Sequence, residues 1–228
     1  ALTGSVAYAQ SDNLEIITID VPIEGLPSSL DNFSIGVLAD FHAGAWGNKK
    51  VSYDAISAMQ QLKPDIIILL GDYVDGARSH DGHNIEKGMF IFHALESLEA
   101  PLGVYAVLGN HDHWTDSARV TKLLAEKNIT VLVDENKVLP NGLILAGVDD
   151  YWEASGNPRK ALAGVEDKKP VILLSHNPDI NEVLEANDPI SLVLAGHTHG
   201  GQIRIPFTGW APWVPCSKRY RGAVEFYQ

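Results

Sequence analysis

Five short segments of this chain carry aspartate, asparagine and histidine at spacings that suit metal ligation: Asp40-Phe41-His42, Gly71-Asp72-Tyr73-Val74-Asp75, Gly109-Asn110-His111-Asp112-His113, Ser175-His176-Asn177 and Gly196-His197-Thr198-His199. Oxygen and imidazole donors without a thiolate suit Mn²⁺, Fe²⁺ or Zn²⁺, and six histidines in these segments are too many for a typical Mg²⁺ or Ca²⁺ site. A paired-metal site is the natural arrangement. Two ions about 3.5 to 4 Å apart need a bridging carboxylate and several neutral ligands, because a carboxylate at every position would overcharge the site. Asp72 is the best-placed bridge. Gly71, Gly109 and Gly196 flank the donors, where a missing side chain lets the backbone turn sharply and lets a metal and substrate approach.

Each segment closes an apolar run rich in β-branched residues. The expected strands are Leu14 to Val21, Phe33 to Ala39, Ile66 to Leu70, Val104 to Leu108, Thr130 to Val133, Leu143 to Val148, Val171 to Leu174 and Leu192 to Ala195. Between them, Val51 to Leu62 and Ile85 to Leu98 carry apolar residues at helical spacing. Further helices are expected at Ser117 to Lys127, entered by Asp116 or Ser117 as N-cap, and at Asp179 to Ala186, following Pro178. Ile203 to Ile205 and Ala223 to Tyr227 read as weak strands in a Pro-, Gly- and Trp-rich stretch. The alternation predicts an α/β fold with parallel pairing, and open α/β sheets bind ligands at the carboxyl ends of their strands. One crevice should therefore collect all five segments.

The 228 residues suit one domain over 1–228, with residues 1–12 as a flexible lead-in. Apolar residues at 45% and charged residues at 20% exclude a disordered tail, a collagen-like repeat and a disulfide scaffold. Acidic residues outnumber basic ones by 29 to 17, and a formal charge of −12 repels a phosphate backbone, so no polynucleotide partner is expected. Cys216 is the single cysteine, so the sequence holds no disulfide and no cysteine-rich zinc site. No run of 18 or more apolar residues is present to span a bilayer. Ala7-Tyr8-Ala9 has the form of a signal cleavage site, although a basic n-region is missing. The stretch reads either as an unstructured lead-in or as the remnant of a trimmed signal or anchor. The expected location is membrane-associated or exported through a removed N-terminal segment, and otherwise cytoplasmic.

In order, Asp40-x-His42, Gly71-Asp72-x-x-Asp75, Gly109-Asn110-His111-Asp112, His176 and Gly196-His197-x-His199 resemble the five motifs of the calcineurin-like metallophosphoesterase superfamily. The extension Gly196-His197-Thr198-His199-Gly200-Gly201-Gln202-Ile203 and the approach Pro22 to Leu30 look like a subgroup of bacterial phosphodiesterases that are often exported or membrane-anchored. The resemblance implies a four-layer α/β/β/α sandwich with its active site at the strand carboxyl ends. It also implies one divalent metal on Asp40, His42, Asp72 and His199 and a second on Asp72, Asn110, His176 and His197, bridged by Asp72 and a water or hydroxide. That hydroxide would attack phosphorus in line. His111 would stabilise charge on the phosphate or protonate the leaving oxygen, with Asp75 orienting its ring, and Asp112 would brace the loop.

The implied activity is phosphodiester hydrolysis. The alternatives are a UDP-2,3-diacylglucosamine-type diphosphate hydrolase of lipid A synthesis, a phosphoprotein phosphatase and a non-catalytic metal-binding module. Members of the subgroup usually continue past the equivalent of Tyr227 with another glycine-bearing stretch and closing strands, whereas this sequence stops at Gln228 and reads either as trimmed or as having a shorter second sheet, which bears on specificity and stability and leaves the metal motifs intact.

Other polar and aromatic residues carry two readings each. His113 and Trp114 rim the substrate cleft or sit in a solvated loop, and Arg78, His80, Asp81 and His83 contact substrate or form a solvated turn. Asp149 and Asp150 close another strand but match no ligand of the superfamily, so they read as structural, and His93 reads as helix surface or core edge. Trp46, Trp114 and Trp152 stack on a sugar or nucleobase, meet lipid headgroups, or simply pack. Arg204, Lys218, Arg219 and Arg221 attract phosphate or are plain surface. The segment between Asp112 and His176 has room for an ordinary strand and helix excursion but not for a large separate cap, so the cleft should be open. Its substrate is expected to be a small phosphoester, a nucleotide-sugar or a lipid-linked phosphate, with a membrane surface as a further candidate partner; the sequence leaves the oligomeric state open.

Overall fold

The computed structural model describes residues 14–23, 26–44, 48–76, 83–166, 169–200 and 215–216. Four strands, β1 (Ile35–Leu38), β2 (Ile66–Leu69), β3 (Val104–Ala106) and β4 (Ile129–Val131), form a parallel sheet in that order. Helices connect them as parallel pairing requires. They are α1 (Lys49–Leu62), α2 (His83–Leu95), α3 (Asn110–Thr115) and α4 (Ser117–Ala125). Asn48 starts α1 by accepting the backbone N–H groups of Lys50 and Val51 on its side chain, and Asp116 starts α4 in the same way with Arg119.

The second sheet has the order β5 (Glu135–Val138), β6 (Ile144–Gly147), β7 (Val171–Ser175) and β8 (Leu192–Ala195). β5 pairs antiparallel with β6, and the other pairs are parallel. Its outer face carries the short helix α5 (Pro158–Ala161) and a 3-10 turn over Pro178–Glu182.

Alternation along the central strands divides the core into layers. Ile66, Ile68 and Leu70 of the first sheet meet Leu143, Leu145, Ile172 and Leu174 of the second in the space between the sheets. Ile67 and Leu69 point the other way, toward Ile56, Met59, Ile91, Leu95 and Leu124 of the covering helices. On the far side, Ile144, Ala146, Val171 and Leu173 pack with Ala161 and Ile180. The result is the expected four-layer α/β/β/α sandwich. Each residue of Ile66–Leu69 is fully buried, and each such side chain stabilises the fold by about 1.5–3 kcal/mol. This packing holds the carboxyl ends of both sheets rigidly at one edge.

The structure departs from the sequence reading in several places. Leu14 to Val21 forms no strand; Leu14, Ile16, Ile17, Ile19 and Val21 lie exposed, and the segment has no ladder partner among the described residues. The helix expected over Asp179 to Ala186 is the 3-10 turn, because the Glu185 N–H donates to the Asp188 carboxylate and turns the chain away from a helical path. α3 and β5 were not foreseen: one begins on the third motif, and the other is polar and defined by its pairing with β6. Ile203 to Ile205 and Ala223 to Tyr227 lie outside the described residues. No helix among the described residues is long and apolar enough to cross a membrane.

Candidate metal centre

The five motifs begin where the strands of both sheets end. Asp40 and His42 follow β1, Asp72 and Asp75 follow β2, and Asn110 and His111 open α3 after β3. His176 follows β7, and His197 and His199 follow β8. Parallel pairing continues past the strands into these loops. The Asp40 and His42 N–H groups donate to the Gly71 and Asp72 carbonyls, each at 3.0 Å, and the Gly196 N–H donates to the His176 carbonyl at 2.9 Å. The two halves are tied directly, because the His197 N–H donates to both oxygens of the Asp40 carboxylate at 3.1 Å.

Five of these residues hold the left-handed backbone region: Asp40, His42, Asp72, His197 and His199, with φ between 44° and 68°. Such a conformation costs about 1–2 kcal/mol for a residue with a Cβ, and strain of this kind concentrates at functional sites. Here it turns each side chain back into the space between the strand ends.

There the donor atoms crowd together. His42 Nε2 lies 3.0 Å from His199 Nε2 and 3.5 Å from Asp72 Oδ2, and His199 Nε2 is 3.6 Å from Asp40 Oδ1. On the other side of Asp72, His176 Nε2 lies 3.2 Å from Asp72 Oδ2, 3.2 Å from Asn110 Oδ1 and 3.0 Å from His197 Nδ1. Asp72 Oδ2 is thus shared by both clusters, while its Oδ1 accepts the His111 N–H at 2.9 Å. Three acidic and imidazole groups lie close enough to hold an ion: Asp40 with His42 and His199, Asp72 with His176 and His197, and His42 with Asp72 and His111, with ligand atoms within 4.8 Å of one another.

The chemistry of this donor set fits divalent cations. His176 Nδ1 faces the Leu70 carbonyl at 2.7 Å and must donate to it, so in a neutral ring Nε2 presents a lone pair. That lone pair points at a carboxylate oxygen, an amide oxygen and another imidazole nitrogen. Acceptors converging on acceptors need positive charge between them. In a proton's place the same demand falls on His176: burial opposes its charge, but Asp72 and Asp40 overcome this and raise its pKa to about 10. Burial also acts on Asp72, yet His176 and His42 hold its carboxyl well below the usual range. Burial keeps His42 neutral, lowering it to about 4, and burial with the neighbouring His176 lowers His197 to about 3. His42 and His197 are thus neutral beside an ionised carboxylate, as metal ligation requires, and a bound ion would displace the proton of His176. His197 Nε2 is buried with no hydrogen-bond partner among the described residues.

His111 stands beside the clusters, its ring edge-on to His42 at 4.5 Å and its Nδ1 3.9 Å from Asp75 Oδ1. Asp112 lies behind them. Its carboxylate accepts the N–H groups of Asp72, Tyr73 and Gly109 at 2.9–3.0 Å and of Val74 at 3.4 Å, so it braces the second and third motifs against each other.

Asp149 and Asp150, read from the sequence as structural, also border this centre. His113 Nε2 pairs with Asp149 Oδ1 at 2.7 Å, and Asp150 Oδ1 accepts the N–H groups of Trp152 and Glu153. Their place directly after β6 was the signal that could have found them. His93 is exposed on α2, as expected. Trp46, Arg78, His80, Asp81, Arg204, Lys218, Arg219 and Arg221 lie outside the described residues.

The profile of the calcineurin-like phosphoesterase family matches residues 33–201. The chain belongs to this family. The calcineurin-like phosphoesterase domain hydrolyses phosphoester bonds, and its members use divalent metal ions. Among curated relatives of the family, phosphodiesterase YaeI of Escherichia coli is 35% identical over 206 residues, covering 86% of this chain and 71% of that protein. An uncharacterized metallophosphoesterase of Bacillus subtilis, YkuE, is 30% identical over 231 residues, covering 96% of this chain and 78% of that protein. A transmembrane protein with metallophosphoesterase domain from Danio rerio is 31% identical over 223 residues, covering 91% of this chain and 49% of its own length. This chain thus spans about half of that vertebrate relative.

Proposed function

We propose that the protein is a phosphodiesterase working with two divalent ions, of the class Mn²⁺, Fe²⁺ or Zn²⁺. The observation that carries this reading is Asp72 Oδ2, which faces His42 on one side and His176 on the other. Asp40, His42, Asp72 and His199 would hold one ion, and Asp72, Asn110, His176 and His197 the other. When bound, such a pair supplies an activated water and polarises the phosphoryl oxygens.

The remaining steps belong to the chain's own residues. His111 is partly exposed at the mouth of the centre, and its ring serves the phosphate: it stabilises developing charge and delivers a proton to the leaving oxygen. Asp75 Oδ1 lies 3.9 Å from the other ring nitrogen, Nδ1, where its charge would orient the ring. Asp112 keeps Asp72 and Asn110 in register through four backbone donors. Small phosphodiesters are favoured over polynucleotides by the net charge of −12, and over other phosphoesters by the identity to phosphodiesterase YaeI. The name of one relative, a transmembrane protein with metallophosphoesterase domain, supports extending this reading to a membrane-associated enzyme.

Hydrolysis of bis-p-nitrophenyl phosphate by chelator-stripped protein reloaded with Mn²⁺, beside Asp72→Asn, tests the proposal. Turnover that returns with metal and is lost in the variant supports it. Absence of turnover with two metal equivalents bound overturns it.

A further inference from the structure

The phosphoester bond is common to every substrate of such a centre, so selectivity must come from what borders it. Of the two described tryptophans, Trp114 is partly buried, its ring 4.5 Å from that of His111. Trp152 is 45% exposed, and its ring meets that of His197 nearly at right angles, with centroids 4.6 Å apart. An aromatic ring with nearly half of its residue in solvent, in contact with a side chain of the metal centre, is a surface that a ligand can complete.

The ring is held there by a rigid turn. Asp150 Oδ1 accepts the Trp152 N–H at 3.0 Å and the Glu153 N–H at 2.8 Å, and the Asp150 carbonyl accepts the N–H groups of Ala154 and Gly156. Asp134 accepts from Asp149 and Asn157 at the two ends of the turn. A preorganised aromatic platform loses little freedom on binding, so the stacking energy is kept. The turn Asp149–Gly156 contains three acidic residues and no basic one, which argues against an anionic lipid surface as its occupant.

We infer that Trp152 is a specificity-determining residue, stacking on a flat aromatic group carried by the phosphoester beside the metal centre. The inference rests on the phosphoesterase reading and names the substrate class: phosphoesters of aryl alcohols or of nucleosides, whose bases present a π-face. Stacking of a base on an aromatic side chain is worth about tenfold or more in affinity.

The test uses two phosphonates, whose C–P bond the centre does not hydrolyse. Calorimetric titration of Mn²⁺-loaded protein with phenylphosphonate and methylphosphonate should show the phenyl ligand binding about tenfold tighter. Trp152→Ala should abolish this preference, leaving methylphosphonate affinity and metal content unchanged, and Trp152→Phe should retain most of it. Equal affinity for the two ligands in the wild type overturns the inference. So does a Trp152→Ala variant that loses metal or weakens both ligands alike, because the ring would then only support His197. Failure of the phosphodiesterase reading shows separately, as metal-loaded protein that binds phosphonates without hydrolysing bis-p-nitrophenyl phosphate.

Discussion

His113 Nε2 lies 2.7 Å from Asp149 Oδ1, and this contact joins α3, at the end of the first sheet, to the loop leaving β6 of the second. The pair is partly buried. Burial alone would lower the His113 pKa, but the hydrogen bond and charge of Asp149 outweigh it, so the value is raised above that of a free imidazole. A group whose pKa is raised on folding contributes stability that is fully present below its unfolded pKa, near 6.5, and is lost as pH rises through the folded value. The wild type should therefore exceed Asp149→Asn in Tm by more at pH 5.5 than at pH 8.5. Thermal melts of both proteins at the two pH values check this, and a gap that does not change with pH would exclude the ionic contribution.

Asp112 is fully buried and serves four backbone donors at once. Burial, with the Asp72 charge, raises its pKa to about 7, against the backbone donors of Gly109 and Tyr73, which favour the anion. Asp112→Asn would turn an amide N–H toward donors that need an acceptor. A buried polar group left unsatisfied costs about 1–3 kcal/mol, and more where the group is charged. The variant should lose about 2–3 kcal/mol, lowering Tm by about 4–12 °C in a chain of this size. Melting of metal-stripped protein isolates this effect from metal binding.

The sequence made the centre legible because its donors are consecutive with strand ends, and strand ends are marked by hydrophobic runs. Ile66 to Leu70 followed by Gly71-Asp72 reads as a buried strand and its exit without any tertiary information. Positions fixed only by tertiary pairing were not legible. Glu135–Val138 is polar and mostly exposed, and becomes β5 through its ladder with β6. Asn110–Thr115 has no apolar period; it becomes a helix as Asp112 reaches back to the Gly109 N–H. Leu14 to Val21 shows the converse, a β-branched pattern that takes a strand conformation only when a partner edge is present. His113 and Asp149 are 36 residues apart, and neither residue type announces the other.

Gly109 sits where the second and third motifs touch. A Cβ there would fall 2.2 Å from Asp72 Oδ1 and 2.6 Å from the Asp72 backbone nitrogen, so Asp72 or its loop would have to move. Gly109→Ala should weaken metal affinity by about 10–100-fold, the usual range when a ligand's support is disturbed. Gly142 is the control, with φ +87° and nothing within 4 Å of an added Cβ. Gly142→Ala carries only the backbone cost, about 1–2 kcal/mol, and should lower Tm without changing metal uptake. Metal content by mass spectrometry after dialysis against graded Mn²⁺ separates the two cases. Equal uptake by both variants would mean that the motifs can part without harm to the centre.

Removal of metal should itself destabilise the fold. His176, Asp72 and Asn110 are buried at the junction of both sheets, and an ion that binds them binds only the folded chain. Ligand binding to the native state alone stabilises it by about 2.7 kcal/mol when free ligand is at 100 times Kd. At about 2–4 °C per kcal/mol, each site saturated to that level should raise Tm by about 5–11 °C over chelator-treated protein. Asp72 faces both clusters, so Asp72→Asn should remove most of the metal-dependent rise, whereas His199→Ala, which belongs to the cluster of Asp40 and His42, should leave the part due to the second ion. Melting curves over a Mn²⁺ titration decide the matter. A single-site rise in the wild type that His199→Ala leaves whole would place one ion, not two, at this edge of the sheets.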